Sequence, residues 1–149
     1  MDYLQTRPKE NYIQENDWQE LYVLTKHWKS DLLFYKDDLK FLHHLIDKYF
    51  IWITKKDNLE DVRKIGVSIL QDTTAVKNLL NKVRSHLSHL ANLIDEPFKN
   101  DAEQIRTEHQ ELEDLIAVFI KQVRQNRKQL FSITEHVLES EQLTHLMKK

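Results

Sequence analysis

Apolar side chains recur at alternating steps of three and four through most of this chain, and that regularity excludes most folds. In a first segment the positions are Leu21, Thr25, Trp28, Leu32, Tyr35, Leu39, Leu42, Ile46, Tyr49 and Ile53. A second segment repeats the pattern at Leu59, Val62, Gly66, Ile69, Thr73, Val76, Leu80, Val83, Leu87, Leu90 and Ile94. A third does so at Phe98, Ala102, Ile105, His109, Leu112, Ile116, Phe119, Val123, Asn126, Leu130, Ile133 and Val137. Such steps average 3.5, the seam of a helix packed in coiled-coil fashion. A strand needs period two, which no segment shows. One glycine and two prolines in 149 residues also leave too few turn formers for an all-β chain. Neither glycine-rich phosphate loop can be written with one glycine.

The breaks between segments carry helix-end chemistry. Asn16 or Asp17 is placed to cap a first helix, with Gln19 or Glu20 three residues on. Lys55-Lys56-Asp57-Asn58 puts basic residues at one helix end and acidic or amide residues at the next start. Asp95-Glu96-Pro97 makes the second break, because proline suits a first helical turn and not an interior. Asn100 with Glu103 offers a second possible start. The helices are expected at about 16–55, 58–95 and 98–140, each roughly 60 Å long at 1.5 Å per residue. Short turns between equal helices predict an all-α fold: a long antiparallel up-down-up three-helix bundle with coiled-coil-like heptad packing. It forms one domain over residues 1–149, with loose ends at 1–15 and 141–149.

Within the seams, Gly66 is expected to permit a close helix approach. Thr73 and Asn126 are polar residues placed to fix register.

Several function classes fall away. The absence of cysteine removes disulfides, thiol catalysis and thiolate metal sites. A net charge of −2 argues against nucleic acid or an acidic membrane surface as partner. No basic-then-apolar leader and no run of about 18 apolar residues is visible, so a cytoplasmic protein without a membrane span is expected. The third segment is acidic over residues 97–120 and basic over 121–131, which makes the bundle acidic at one end and basic at the other.

The eight histidines are the main chemical feature. Folding the first two helices about residue 56 or 57 brings position n level with about 113 − n, and folding the second and third about residue 97 brings position m level with about 194 − m. His27, His86 and His109 then fall within about one turn of one another, with Asp31 and Glu113 a turn away. This layer is the candidate metal set: His86, His109, Asp31, His27 and Glu113. It lacks the Glu-x-x-His pairs of a di-metal bundle and any His-Glu-x-x-His. No cofactor, no bound metal and no catalytic group is therefore expected; the layer is expected to consist of partly buried histidines bonded to carboxylates. The run Ser85-His86-Leu87-Ser88-His89-Leu90 raises a histidine phosphocarrier as a weaker alternative, without the local motif of such domains.

Eleven of the fourteen aromatics lie in the first 52 residues. Beside its seam, the first helix carries a second stripe of Phe34, Phe41, Leu45 and Trp52. Two neighbours in a three-helix bundle cannot cover so wide an apolar face. Either the end of the chain folds back, with Val137, Leu138, Leu143, Leu146 and Met147, or a second copy covers it. The expected function is non-enzymatic protein–protein association, with a homodimer centred on that stripe. The alternative is metal binding by the histidine layer.

Overall fold

A computed structural model describes the backbone of residues 18–54 and 59–147 and the side chains of residues 18–48 and 59–135. The helices are α1 (Trp18–Thr54), α2 (Leu59–Asp95) and α3 (Ala102–Met147), of 37, 37 and 46 residues. The described residues contain no strand. All three helices pack on one another, so the chain is an all-α three-helix bundle. Side-chain contacts give the relative directions. His86 and Asp72 of α2 meet His109 and Asn126 of α3, the numbers running in opposite senses. Trp28, Tyr35 and Phe41 of α1 meet His109, Phe119 and Phe131 of α3, the numbers rising together. No helix among the described residues is long and apolar enough to cross a membrane.

The expected caps Asn16 and Asp17, and the turn at residues 55–58, lie outside the described residues. The α2–α3 connection differs from expectation. The third helix starts at Ala102 rather than 98, because Asp101 supplies the cap: its Oδ1 accepts from the Gln104 backbone N–H at 3.1 Å. Asn100 faces backward, its Nδ2 donating to the carbonyls of Asn92 (3.1 Å) and Glu96 (2.9 Å), which closes the end of α2. Pro97 occupies a turn in which the Lys99 N–H donates to the Glu96 carbonyl. Phe98, the first seam position extrapolated from the heptads, is therefore wholly exposed. At the other end α3 runs to Met147 rather than about 140. The helix makes no reversal after Val137, so that segment does not fold back as proposed from the sequence.

The core forms two clusters. The larger spans Trp28, Leu39, Val76, Ile116, Val123 and Leu130 among others; the smaller joins Leu21, Leu90, Leu93 and Ile105 near the α2–α3 turn. Between them lies a polar layer of Thr25, His86 and His109, all fully buried. Thr25 satisfies its hydroxyl on the Leu21 carbonyl at 2.7 Å.

One correction concerns the seam of α2. Val62, Ile69, Val76, Val83 and Leu90 are buried as expected. The flanking positions that fill the core are Ile65, Asp72, Leu79, His86 and Leu93. Of the row expected there (Gly66, Thr73, Leu80, Leu87 and Ile94), only Leu80 is buried. Gly66 is accordingly no close-approach point: a Cβ built on it meets no atom within 4 Å. Thr73 bonds its own helix, at the Ile69 carbonyl. The polar pair across the interface is instead Asp72 with Asn126, whose Nδ2 donates to Asp72 Oδ2 at 2.7 Å.

Burial pushes the Asp72 carboxyl above its ordinary 3.8, and the Asn126 hydrogen bond offsets only part of this. A folded-state pKa above the unfolded one contributes stability that is fully present below the unfolded value. That contribution is lost as pH rises through the folded value. Asp72→Asn keeps an acceptor for Asn126 and removes the buried charge. The variant is expected to be more stable than wild type at pH 7, with the difference shrinking as pH falls toward 4. Urea denaturation at both pH values checks this; a variant less stable at pH 7 would contradict it.

Candidate functional site

The polar layer is built by the local geometry of two helices. On α2, His86 and His89 are three residues apart and share a face. On α3, Glu108 and His109 are adjacent, so one points toward the groove with α2 and the other toward the bundle interior. His86 Nδ1–H donates to Glu108 Oε1 at 2.5 Å, and His89 Nδ1–H donates to the same oxygen at 2.8 Å. The other nitrogen of His86, Nε2, lies 2.9 Å from His109 Nδ1. A neutral His86 that donates through Nδ1 accepts through Nε2, so His109 is the donor in that second bond. The His109 ring stacks on Trp28 of α1, with centroids 4.6 Å apart. A chain of contacts thus runs from the surface at His89 through Glu108, His86 and His109 to the buried indole of Trp28 on α1.

The electrostatics follow from the burial gradient. His86 is fully buried, whereas the side chains of His89 and Glu108 are 45% and 34% exposed. Burial holds the His86 pKa below its ordinary 6.5, against the opposing pull of Glu108. For Glu108, partial burial works upward, but the hydrogen bonds and charges of His89 and His86 outweigh it and hold the carboxyl below 4.5. Both groups therefore favour the folded state at neutral pH. Their contributions are lost as pH falls, that of His86 below about 6.5 and that of Glu108 below about 4.5.

The residues whose ligand atoms converge are His86, His89 and Glu108, all within 4.8 Å of one another. Only His86 belongs to the set expected from the sequence. His109 stands behind His86 as its hydrogen-bond partner. Glu113 is buried one turn further along α3, Asp31 is half-buried on α1 and His27 is exposed; none of these belongs to the converging group. His89 and Glu108 carried a legible signal. The spacing His86-x-x-His89 is visible in the sequence, and matching levels about residue 97 puts 86 opposite 108. The phosphocarrier alternative meets an obstacle, since both ring nitrogens of His86 are engaged inside the bundle.

Two further features complete the surface. A groove of about 510 Å³ at the start of α2 is lined by Asp61, Lys64, Ile65, Lys128, Gln129, Ser132 and Ile133. Its charges are mixed, since Asp61 stands beside Lys64 and Lys128. The stripe of α1 is only partly covered by the other helices. Phe34 and Phe41 are 63% and 50% exposed, and Leu45 packs partly against the core. The side chain of Trp52 lies outside the described residues. Phe41 approaches Phe131 of α3 with centroids 6.3 Å apart. Arg127 stacks over Phe131 and donates to Asp38 at 3.1 Å. Comparison with protein-family models, curated proteins and solved structures gives no match, so function is argued from these sites alone.

The burial gradient predicts unequal consequences for the two histidines. His86→Ala opens a cavity and strands the groups it bonds, costing about 3 kcal/mol. His89→Ala acts at the surface and is expected to stay within about 0.5 kcal/mol of wild type. Chemical denaturation of both variants checks this; equal losses would contradict the layer's placement.

Proposed function

We propose that this bundle acts by protein–protein association, with a second copy of the chain as the partner and no catalytic role. One observation carries the reading: Phe34 and Phe41, seven residues apart on one face of α1, remain 63% and 50% exposed although three long helices are already packed together. Aromatic rings exposed one heptad apart on a helix face form the kind of apolar patch that marks a contact site. Interface cores are enriched in such residues.

A copy of the same face is the partner that the chemistry favours. A two-fold interface pairs one patch with itself, and this is the commonest oligomer geometry. The end-to-end charge split of the chain matches an antiparallel copy, acidic end to basic end. The Asp38–Arg127 pair, with Arg127 stacked on Phe131, supplies a polar border along the aromatic residues. In this arrangement Phe34, Phe41, Leu45 and Trp52 form the centre of the interface.

Phe41→Glu places a charge at that centre and is half-exposed within one chain, so it leaves the fold intact and breaks the pairing. Light scattering after size exclusion, at tens of micromolar protein, is expected to give a dimer for wild type and a monomer for the variant. Circular dichroism confirms that both are helical. A wild-type monomer at that concentration, or a variant that stays dimeric, would overturn the proposal.

A further inference from the structure

We propose that His86, His89 and Glu108 form a binding site for a divalent transition-metal ion of the zinc type, at the groove between α2 and α3. The two imidazoles and the carboxylate present His Nδ1, His Nδ1 and Glu Oε1 to a common point, all within 4.8 Å of one another. Two histidines and one carboxylate are a ligand set that suits zinc while leaving a fourth position open.

The geometry needs little adjustment. Zinc binds imidazole nitrogen at about 2.0–2.1 Å and carboxylate oxygen at about 2.0–2.2 Å, so ligand atoms in a tetrahedral site stand roughly 3.3–3.4 Å apart. The two nitrogens now lie 2.5 and 2.8 Å from Glu108 Oε1. Admitting the ion requires these gaps to open by less than about 1 Å. His89 and Glu108 can make that movement because both side chains reach solvent. His86 is the fixed member, held at its other nitrogen by His109, which is itself stacked on Trp28. A metal-bound histidine ordinarily has such a partner on its second ring nitrogen, and the partner sets tautomer and ring orientation.

The proton positions are consistent with this. Ligation needs a bare Nδ1 on each imidazole. His86 moves its proton from Nδ1 to Nε2 and becomes the donor to His109 Nδ1. The His109 proton moves from Nδ1 to Nε2, so both rings stay neutral. His89 ligates as the neutral ring with its proton on Nε2, and Glu108 enters as the carboxylate. Glu108 also lines a surface pocket of about 230 Å³ together with Lys82, Ser85 and Glu111. A zinc ion held by three protein ligands ordinarily takes water as its fourth.

The test titrates zinc chloride into the purified full chain by calorimetry, with three variants in parallel. His89→Ala and Glu108→Ala remove ligands from the partly exposed side of the cluster. His43→Ala removes an exposed histidine that pairs with Asp47 on α1, remote in sequence from the site. Wild type and His43→Ala are expected to bind one ion per chain. His89→Ala and Glu108→Ala are expected to lose affinity about tenfold or more while keeping wild-type circular dichroism. Cobalt chloride gives a second readout: visible bands of tetrahedral cobalt for wild type, absent for His89→Ala. No one-to-one binding by wild type, or affinity unchanged in both ligand variants, would overturn the site. So would a loss that follows His43 instead.

Discussion

A helix that buries a polar side chain on its seam must find that side chain's partner on a neighbour at the same level. The geometry of this bundle depends on that constraint. Apolar heptads alone tolerate sliding by a heptad, because leucine against isoleucine is nearly as good seven residues along. A buried donor or acceptor without a partner costs about 1–3 kcal/mol, so polar positions remove that freedom. Here α2 carries two such positions, Asp72 and His86, and α3 answers each: Asn126 for the first, Glu108 and His109 for the second. A slip of α2 along α3 breaks both contacts at once. The two apolar clusters on either side of the His86 layer then supply packing energy at a register the polar groups have selected.

The same polar residues explain where the sequence misleads. Along α2, Val62, Ile69, Val76, Val83 and Leu90 recur every seven residues, and either adjacent row completes the seam. One row reads Ile65, Asp72, Leu79, His86 and Leu93; the other reads Gly66, Thr73, Leu80, Leu87 and Ile94. The second contains no charged residue and no histidine, so a hydrophobicity argument selects it. The bundle buries the first, because Asp72 and His86 have partners on α3 that Thr73 and Leu87 do not need. The period, the helix count and the break at Pro97 were legible; the choice between adjacent rows was not, since it depends on a partner about 22–54 residues away. The start of α3 was misplaced for a local reason: Asp101 caps the helix, and Phe98 falls in the turn before it.

The histidine layer was legible as a level and not as a site. Level matching brings His86 to His109, and they do meet. It brings Glu108 to His86 equally well. That arithmetic marks Glu108, although its residue type alone, one of several acids on a charged stretch, does not. His89 likewise reads as a surface residue, which it is, although it reaches the same carboxylate oxygen as its buried neighbour. Burial decides their roles. The inner histidines orient the cluster, and the outer histidine and glutamate give it access to solvent. The aromatic excess of α1 was legible as an unfilled face, and Phe34 and Phe41 remain largely uncovered by the chain itself.

The central claim is that His86 is a neutral imidazole fixed inside the bundle by Glu108 on one side and His109 on the other. Long-range proton–nitrogen correlation spectra of the histidine rings, recorded at neutral pH on metal-free protein, measure this directly. The account predicts the buried imidazoles of His86 and His109 both locked as Nδ1–H tautomers, with the His86 signals assigned by their absence in His86→Ala. If the His86 nitrogens instead show the averaged shifts of a ring exchanging freely between tautomers and solvent, the buried layer does not exist in the form described.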